Sequence, residues 1–346
     1  MKHLSFIISV IIASLMSQGC TSTLPEQHLA TLSDTTVKKA KIYLISSSSQ
    51  YDENIIGEID KVFSQQGYLI DTSYLKQQPT PLGYVNTDEV RARTLVKALT
   101  DNQVKYLWFV RGGSGAFNLY PWLYANKGKI SASSPKIIFG FSDVTAIHYF
   151  INNEMKWPSI HGVLASYNKE MYALNSEEKI SMASSINQAF DTLQTGVSYN
   201  NIEPLNRAAA KGVNGILRGG NLTLVQSLFS TRYENSYADN VMILEDTGVT
   251  YKQLDRTLHQ LEYSKKFHPK AVIFGQFYSI DAAQNEKDLF GYVIQQFASR
   301  VDYPVYYYPN FGHGKINQPF ILSQPVNILC NNSSSYCHLT QSPVAL

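Results

Sequence analysis

Three side chains that together can activate a nucleophile are spread along the chain, each close to the end of an apolar run. Ser142 follows the first run, Glu245 ends the second, and His313 stands between two glycines after the third. A hydroxyl, an acid and an imidazole occur in the same chain order in α/β-hydrolases, where the hydroxyl attacks a carbonyl and forms an acyl-enzyme. This order predicts hydrolysis through a covalent intermediate.

The sequence around Ser142 leaves a second interpretation open. Residues 136–145 indicate a buried strand, a break at Gly140 and a helix that starts near Asp143. A serine on such a turn can be exposed as a nucleophile, but Ser142 or Asp143 can equally cap the helix. The last glycine of the G-x-S-x-G motif is also missing, so this stretch taken alone favours the cap.

A glycine-rich loop, Arg111-Gly112-Gly113-Ser114-Gly115, follows another apolar run. Glycine N–H groups can approach an anion closely and donate hydrogen bonds to it. The loop lacks the Lys-Ser/Thr pair of a nucleotide P-loop and the spacing of a dinucleotide fingerprint. It therefore predicts either a backbone anion site or a plain tight turn.

For three other polar residues the sequence leaves two interpretations open. Asp246 stands beside Glu245, so the pattern does not decide which of them is the acid. Asn221 follows paired glycines and can bind substrate or cap a helix. His161 precedes Gly162 and is a candidate for contact with substrate or with another residue of the site.

Strand and helix patterns alternate from residue 40 and must position these groups. Apolar runs at 40–45, 68–70 and 106–110 predict strands, and periodic segments at 55–63 and 88–99 predict helices. Such alternation is typical of a parallel sheet, which binds ligands beyond the carboxyl ends of its strands. Residues 195–204 show no strand pattern, so we place a connector there and expect domains at 40–195 and 196–346.

Composition excludes several classes of protein. The chain has 346 residues, of which 44% are hydrophobic and 16% charged, as in ordinary globular proteins. Its net charge is +2, from 29 basic and 27 acidic residues, and no basic stripe indicates nucleic-acid binding. No cluster of ligand residues predicts a metal or another cofactor.

The N-terminal residues predict export. Lys2 and His3 precede a short apolar run, 4–16, and small residues then lead to Cys20, so residues 1–20 read as a signal peptide. The pattern also resembles a bacterial lipoprotein signal, in which Cys20 would carry lipid; simple cleavage and release is the alternative. Residues 21–39 then read as a tether, and we expect a periplasmic, membrane-anchored protein.

Two further cysteines lie seven residues apart near the C-terminus. Cys330 and Cys337 could close a small disulfide loop in an oxidising compartment. They could also bind a metal, but no histidine pair stands beside them at ligand spacing, so the disulfide is favoured.

Several segments together resemble the LD-carboxypeptidases of serine peptidase family S66. They are spread in family order over residues 40–329, which is nearly the whole mature chain. The segments are RGGSG at Arg111, GFSDVTAIH at Gly140, HG at His161, GILRGGNLTL at Gly215, ILEDTG at Ile243, YKQLDRTL at Tyr251 and GH at Gly312.

The resemblance implies a catalytic role for three residues. It makes Ser142 the nucleophile, Glu245 rather than Asp246 the acid, and His313 the base. The backbone N–H groups of Gly113 and Asp143 would bind the oxyanion. Candidates for binding substrate are Arg111, Gly112, Asn221 and His161, although Arg111 can equally form an ion pair within its loop.

The same resemblance implies the fold, the substrate and the assembly. The expected fold is α/β with two domains: an N-terminal Rossmann-like parallel sheet with a nucleophile elbow, and a C-terminal α/β or β-rich domain carrying the acid and the histidine. The expected reaction removes terminal D-alanine from murein tetrapeptides without a cofactor, and a homodimer is suggested. Ser114 stands where the family loop usually has a tyrosine, and this difference bears on which substrate is preferred.

Two other functions follow from the same residues. Some relatives resemble microcin-immunity peptidases that hydrolyse aminoacyl-adenylate analogues inside the cell, where an exported protein would not meet them. A lipoprotein that binds muropeptides without turnover is the other alternative, and it would leave Ser142 without a catalytic role.

Overall fold

The computed structural model describes residues 40–165, 187–314, 316–331 and 334–344. The predicted signal peptide, Cys20 and the tether lie outside these ranges. Among the helices that the model describes, none combines the length and apolar character needed to span a membrane.

The described elements alternate between strand and helix for most of the chain. The strands are β1 (Lys41–Ile45), β2 (Leu69–Tyr74), β3 (Tyr106–Phe109), β4 (Ile137–Gly140), β5 (Ser159–His161), β6 (Val197–Pro204), β7 (Val213–Asn221), β8 (Asn240–Glu245), β9 (Ala271–Phe274), β10 (Val305–Tyr307), β11 (Phe320–Leu322), β12 (Pro325–Leu329) and β13 (Cys337–Gln341). The α-helices are α1 (Ile55–Gln65), α2 (Asp88–Thr100), α3 (Tyr120–Ala125), α4 (Lys127–Ser131), α5 (Thr145–Phe150), α6 (Leu222–Ser227), α7 (Tyr251–Tyr263) and α8 (Gln284–Arg300), and residues 187–195 are also helical.

The first sheet has the strand order β2-β1-β3-β4-β5-β11. Strands β1 to β5 run parallel, and β11 pairs antiparallel with β5 at the edge. The strand order reverses between β1 and β3, and the loops that follow these two strands contact each other, since the N–H of Ser49 donates to the backbone oxygen of Gly112 at 3.2 Å. The predicted parallel sheet is confirmed, with one antiparallel edge strand added from far along the chain.

Local signals in the sequence explain why the helices form where they do. Helix α1 buries Ile55, Ile59 and Phe63, which recur every four residues and therefore share one face. Helix α7 begins with a capping box, in which the N–H of Gln253 donates to Thr250 Oγ1 at 3.2 Å and the N–H of Thr250 donates to Gln253 Oε1 at 2.7 Å.

The second half of the chain forms a closed barrel in the order β10-β6-β13-β12-β7-β8-β9. Strands β7 to β10 are parallel, and β6, β12 and β13 complete the closure in antiparallel fashion. This is the expected β-rich C-terminal domain. The disulfide joins Cys330, the residue directly after β12, to Cys337, the first residue of β13.

Strand β6 corrects the interpretation of residues 195–204 as a connector. Val197–Pro204 pairs with β10 and with β13, but within it only Val197 and Ile202 are buried. Two apolar anchors five residues apart do not produce the alternation by which a strand is recognised. The division at residues 195 and 196 stays a prediction.

One apolar core contacts both sheets. Trp108 and Phe139 of the first sheet belong to the same buried cluster as Ile243 and Ile273 of the barrel. Burying one such side chain stabilises the fold by about 1.5–3 kcal/mol. The two sheets therefore pack against each other through this shared cluster.

Candidate active site

Ser142 occupies a strained turn directly beyond β4. Its φ angle is +61°, in the left-handed region, and it opens the 3₁₀ turn Ser142–Val144 that leads into α5. A non-glycine residue in this region costs about 1–3 kcal/mol and persists where the surrounding structure holds it. The turn has the geometry that presents a serine hydroxyl above the end of a sheet.

His313 lies between the serine and an acid. Its Nε2 is 3.0 Å from Oγ of Ser142, and its Nδ1 is 2.6 Å from Oε2 of Glu245. An ionised carboxylate only accepts hydrogen bonds, so the Nδ1–H of His313 donates to Glu245. The unprotonated Nε2 then accepts the hydrogen bond from the Ser142 hydroxyl, which is the arrangement needed to remove its proton.

Glu245 is fully buried, with 0% of its side chain exposed, at the carboxyl end of β8. Burial alone would raise its pKa, but the neighbouring imidazoles of His313 and His161 favour the ionised form and lower the pKa to about 2. The carboxylate is therefore ionised at neutral pH and stabilises positive charge on His313.

Gly312 allows the histidine loop to pass directly over the acid. Its φ angle is +114°, and a Cβ at this position would lie 3.2 Å from the Cβ of Glu245. The N–H of Gly312 donates to Oδ1 of Asn317 at 3.0 Å, and the ring of Phe141 packs on His313 at 4.7 Å between centroids. These contacts hold the imidazole between its two partners.

The glycine-rich loop contacts the serine turn at two points. A Cβ at Gly112 would lie 3.1 Å from Cβ and 3.3 Å from Oγ of Ser142. The N–H of Ala116 donates to Oδ2 of Asp143 at 2.9 Å, and burial raises the pKa of this carboxyl group. Asp143 thus ties the loop to the nucleophile by its side chain, while oxyanion binding by the N–H groups of Gly113 and Asp143 stays a prediction.

Asp246, the other candidate acid, is used elsewhere. Its Oδ2 accepts from the N–H and the hydroxyl of Thr223 at 2.9 and 2.8 Å, and its Oδ1 accepts from Nδ2 of Asn221 at 2.9 Å. Asp246 therefore anchors the start of α6, and only Glu245 lies beside the histidine.

The predicted substrate contacts fall in different places. Asn221 caps α6, because its Oδ1 accepts from the N–H of Leu224 at 3.3 Å. Arg111 donates from Nη1 to the backbone oxygen of Gln50 at 2.7 Å rather than to a carboxylate. His161 is completely buried next to Glu245, so it faces the acid and not the solvent.

His148 is a residue of this region whose contacts the sequence did not reveal. Its Nε2 is 2.8 Å from the backbone oxygen of Gly140, and its Nδ1 is 2.8 Å from Oγ of Ser159. Burial lowers the pKa of His148 to about 3, so the ring is neutral and braces the strand end just before Ser142. The available signal was a lone polar residue within the apolar segment 146–151.

Comparisons with known proteins identify the family of this chain. Residues 42–162 match the model of the LD-carboxypeptidase N-terminal domain of peptidase family S66, and residues 214–328 match the model of its C-terminal domain. The chain belongs to the S66 LD-carboxypeptidase family.

Within the residues that the structure describes, no three His, Cys, Asp or Glu side chains are grouped as metal ligands would be.

Individual members of the S66 family show the extent of the likeness. The murein tetrapeptide carboxypeptidase of Pseudomonas aeruginosa is 27% identical over 240 residues, which cover 67% of this chain and 75% of that protein. A crystal structure of muramoyltetrapeptide carboxypeptidase from Oxalobacter formigenes has a TM-score of 0.71 at 21% identity and covers 88% of this chain and 100% of its own. A mutant of the microcin C7 self-immunity protein MccF, in complex with adenosine monophosphate, has a TM-score of 0.69 at 16% identity and covers 89% of this chain and 97% of its own. Both structures share the fold of this chain.

Proposed function

We propose that this S66 peptidase is a serine LD-carboxypeptidase that removes the terminal D-alanine of murein tetrapeptides through an acyl-enzyme. The observation that carries the proposal is the continuous arrangement of Ser142, His313 and Glu245, joined by distances of 3.0 and 2.6 Å. A hydroxyl that merely capped a helix would need neither an imidazole nor a buried carboxylate behind it.

The first half of the reaction forms the acyl-enzyme. Nε2 of His313 takes the proton of Ser142 as Oγ attacks the carbonyl carbon of the scissile bond. Glu245 stabilises the imidazolium that results and keeps the ring oriented. The imidazolium then gives its proton to the leaving amino group of D-alanine, and an ester remains on Ser142.

Negative charge on the carbonyl oxygen needs donors at the serine turn. The N–H groups of Gly113 and Asp143 are proposed to supply them, and such a donor commonly contributes about 3 kcal/mol. In the second half, His313 removes a proton from water, which attacks the ester. The imidazolium then returns the proton to Oγ of Ser142 as the ester bond breaks and the shortened peptide leaves.

The proposal extends to location and assembly. Export and a lipid on Cys20 rest on the N-terminal pattern of residues 1–20, and they would bring the enzyme to peptidoglycan-derived peptides. Assembly as a homodimer rests on the family resemblance.

The test is turnover of a purified tetrapeptide by the mature protein and by Ser142→Ala. We expect the wild type to release D-alanine and a tripeptide, seen by mass spectrometry, and the variant to lose at least a thousandfold in kcat while it unfolds at the same temperature, on the scale known for triad serines. Ser299→Ala, which changes an exposed serine on α8, is the matched control and should retain full activity. Equal turnover by Ser142→Ala and wild type would refute the serine mechanism, and binding without any released D-alanine would indicate a muropeptide-binding lipoprotein.

A second candidate is hydrolysis of aminoacyl-adenylate analogues. The structural likeness to MccF, which was crystallised with adenosine monophosphate, favours it. Assays of both substrates on one enzyme preparation distinguish the two functions, because the preferred substrate will have the higher kcat/KM.

A further inference from the structure

Glu245 has an imidazole on each side. Oε2 lies 2.6 Å from Nδ1 of His313, and Oε1 lies 3.9 Å from Nε2 of a second histidine, His161. The side chains of Glu245 and His161 are both 0% exposed. His161 therefore faces Oε1 of Glu245, the carboxylate oxygen that His313 does not contact.

Three polar atoms at this contact have no hydrogen-bond partner among the described residues. They are Oε1 of Glu245 and both ring nitrogens of His161. Buried polar atoms are nearly always paired, since leaving one unpaired is costly. A shift of about 1 Å in the ring or the carboxylate would bring 3.9 Å into hydrogen-bond range and pair two of the three atoms at once.

The backbone and its neighbours limit how His161 can move. His161 ends β5, where it is in register with Gly140 of β4 and with Phe320 of β11. The rings of Phe141 and Phe311 pack near the imidazole, at centroid distances of 6.0 and 6.1 Å. This packing directs the imidazole toward the acid.

The titratable groups around His161 come from three elements besides its own. Glu245 faces it from β8, His148 from α5, and His313 from the loop after β10, where it binds the other oxygen of the same carboxylate. Glu245 is the acidic group among these, so an N–H of His161 has a negatively charged acceptor in front of it.

We propose that His161 is a positioning residue of the S66 site, whose Nε2–H donates to Oε1 of Glu245 and fixes the carboxylate in the orientation that binds His313. The inference rests on the proposed function, because it concerns how the acid of that triad is held. A carboxylate with one donor can turn about its terminal bond, whereas a donor at each oxygen prevents the turn.

A second donor also has an electrostatic effect on the base. A hydrogen bond to Oε1 withdraws negative charge from the carboxylate, so less charge is available to stabilise protonated His313. Removal of the donor should therefore raise the pKa of His313.

The experiment compares His161→Phe, which keeps a flat ring but removes the donor, with His161→Gln, whose amide can place an N–H near the position of Nε2. For His161→Phe we expect kcat to fall about tenfold, as for loss of one hydrogen bond to a charged group, with KM within about twofold because the buried residue does not contact substrate. The acidic limb of the pH profile should move up by about half a unit to one unit. His161→Gln should restore most of the rate and the original limb.

His259→Phe carries the same change on the surface helix α7 and serves as the matched control, with an unchanged profile. The titration of His313 is followed in parallel by NMR of the substrate-free protein. This second readout tests the inference even if the wild type does not hydrolyse the tetrapeptide, an outcome that would count against the proposed function alone. An unchanged titration of His313 in a folded His161→Phe variant would overturn the positioning role, as would equal losses of rate in the Phe and Gln variants.

Discussion

Acid should destabilise this protein mainly through one buried histidine. His148 is completely buried, and burial lowers its pKa from 6.5 to about 3 in the folded protein. Between these two values the unfolded chain binds a proton that the folded protein does not, so the free energy of unfolding falls as the pH falls. The stability that neutral His148 contributes is fully present above about pH 6.5 and is lost below it.

The magnitude follows from the two pKa values. At about pH 4 the loss from His148 amounts to about 3 kcal/mol, out of a total stability that is commonly 5–15 kcal/mol. Glu245 has its pKa lowered from 4.5 to about 2, so its contribution is present above pH 4.5 and is lost as the pH falls further. At about pH 4 it removes only about 1 kcal/mol, so His148 dominates the first part of the acid transition.

Urea unfolding of the wild type and of His148→Gln, at a series of pH values from 7 to 4, measures this difference. Glutamine can keep a donor toward Gly140 but does not titrate. We expect the variant to be less stable at pH 7, since its packing is imperfect, but to lose about 3 kcal/mol less than the wild type on acidification to about pH 4. Parallel curves for the two proteins would refute the assignment of the transition to His148.

Two other predictions concern the loop beside the nucleophile and the disulfide. Gly112→Ala should lower kcat at least tenfold and the stability by about 1–3 kcal/mol, because the new Cβ would lie 3.3 Å from Oγ of Ser142 and displace it. Gly57→Ala is the control, since a Cβ at Gly57 has nothing within 4 Å. Equal kcat values for the two variants would contradict the expectation. Replacing Cys330 and Cys337 by serine should lower the free energy of unfolding by about 2.5 kcal/mol, the chain-entropy value for so short a loop. Thermal denaturation measures the change, and an unchanged midpoint would count against it.

The sequence predicted best those features that depend on neighbouring residues. The strands Lys41–Ile45 and Tyr106–Phe109 lie where the apolar runs at 40–45 and 106–110 predict them, and the helix Asp88–Thr100 begins where the periodic segment at 88–99 begins. Ser142 and His313 could be named as candidates because each stands near glycine in a loop that follows a strand, and their catalytic roles came from the family resemblance. The choice of Glu245 over Asp246 came from the family resemblance and not from pattern.

Features that depend on distant residues could not be predicted. Phe320–Leu322 is only three residues long, and nothing in it indicates pairing with a strand some 160 positions earlier. Closure of the barrel likewise depends on Val197–Pro204. The polar middle of this strand lacks the alternating pattern from which its pairing could be predicted. The contact of His161 with Glu245 joins two strands of different sheets, and only the folded arrangement brings them together.

The order in which these parts are synthesised has a consequence for when the enzyme can act. The hydroxyl at position 142 leaves the ribosome long before the imidazole at position 313 exists, and the outer strand of the first sheet, Phe320–Leu322, comes later still. Domains tend to fold as they emerge from the ribosome, but the first sheet is incomplete and Ser142 is not activated until the later segment has been synthesised. A growing chain, or one truncated before residue 313, therefore carries a nucleophile that has no means of losing its proton.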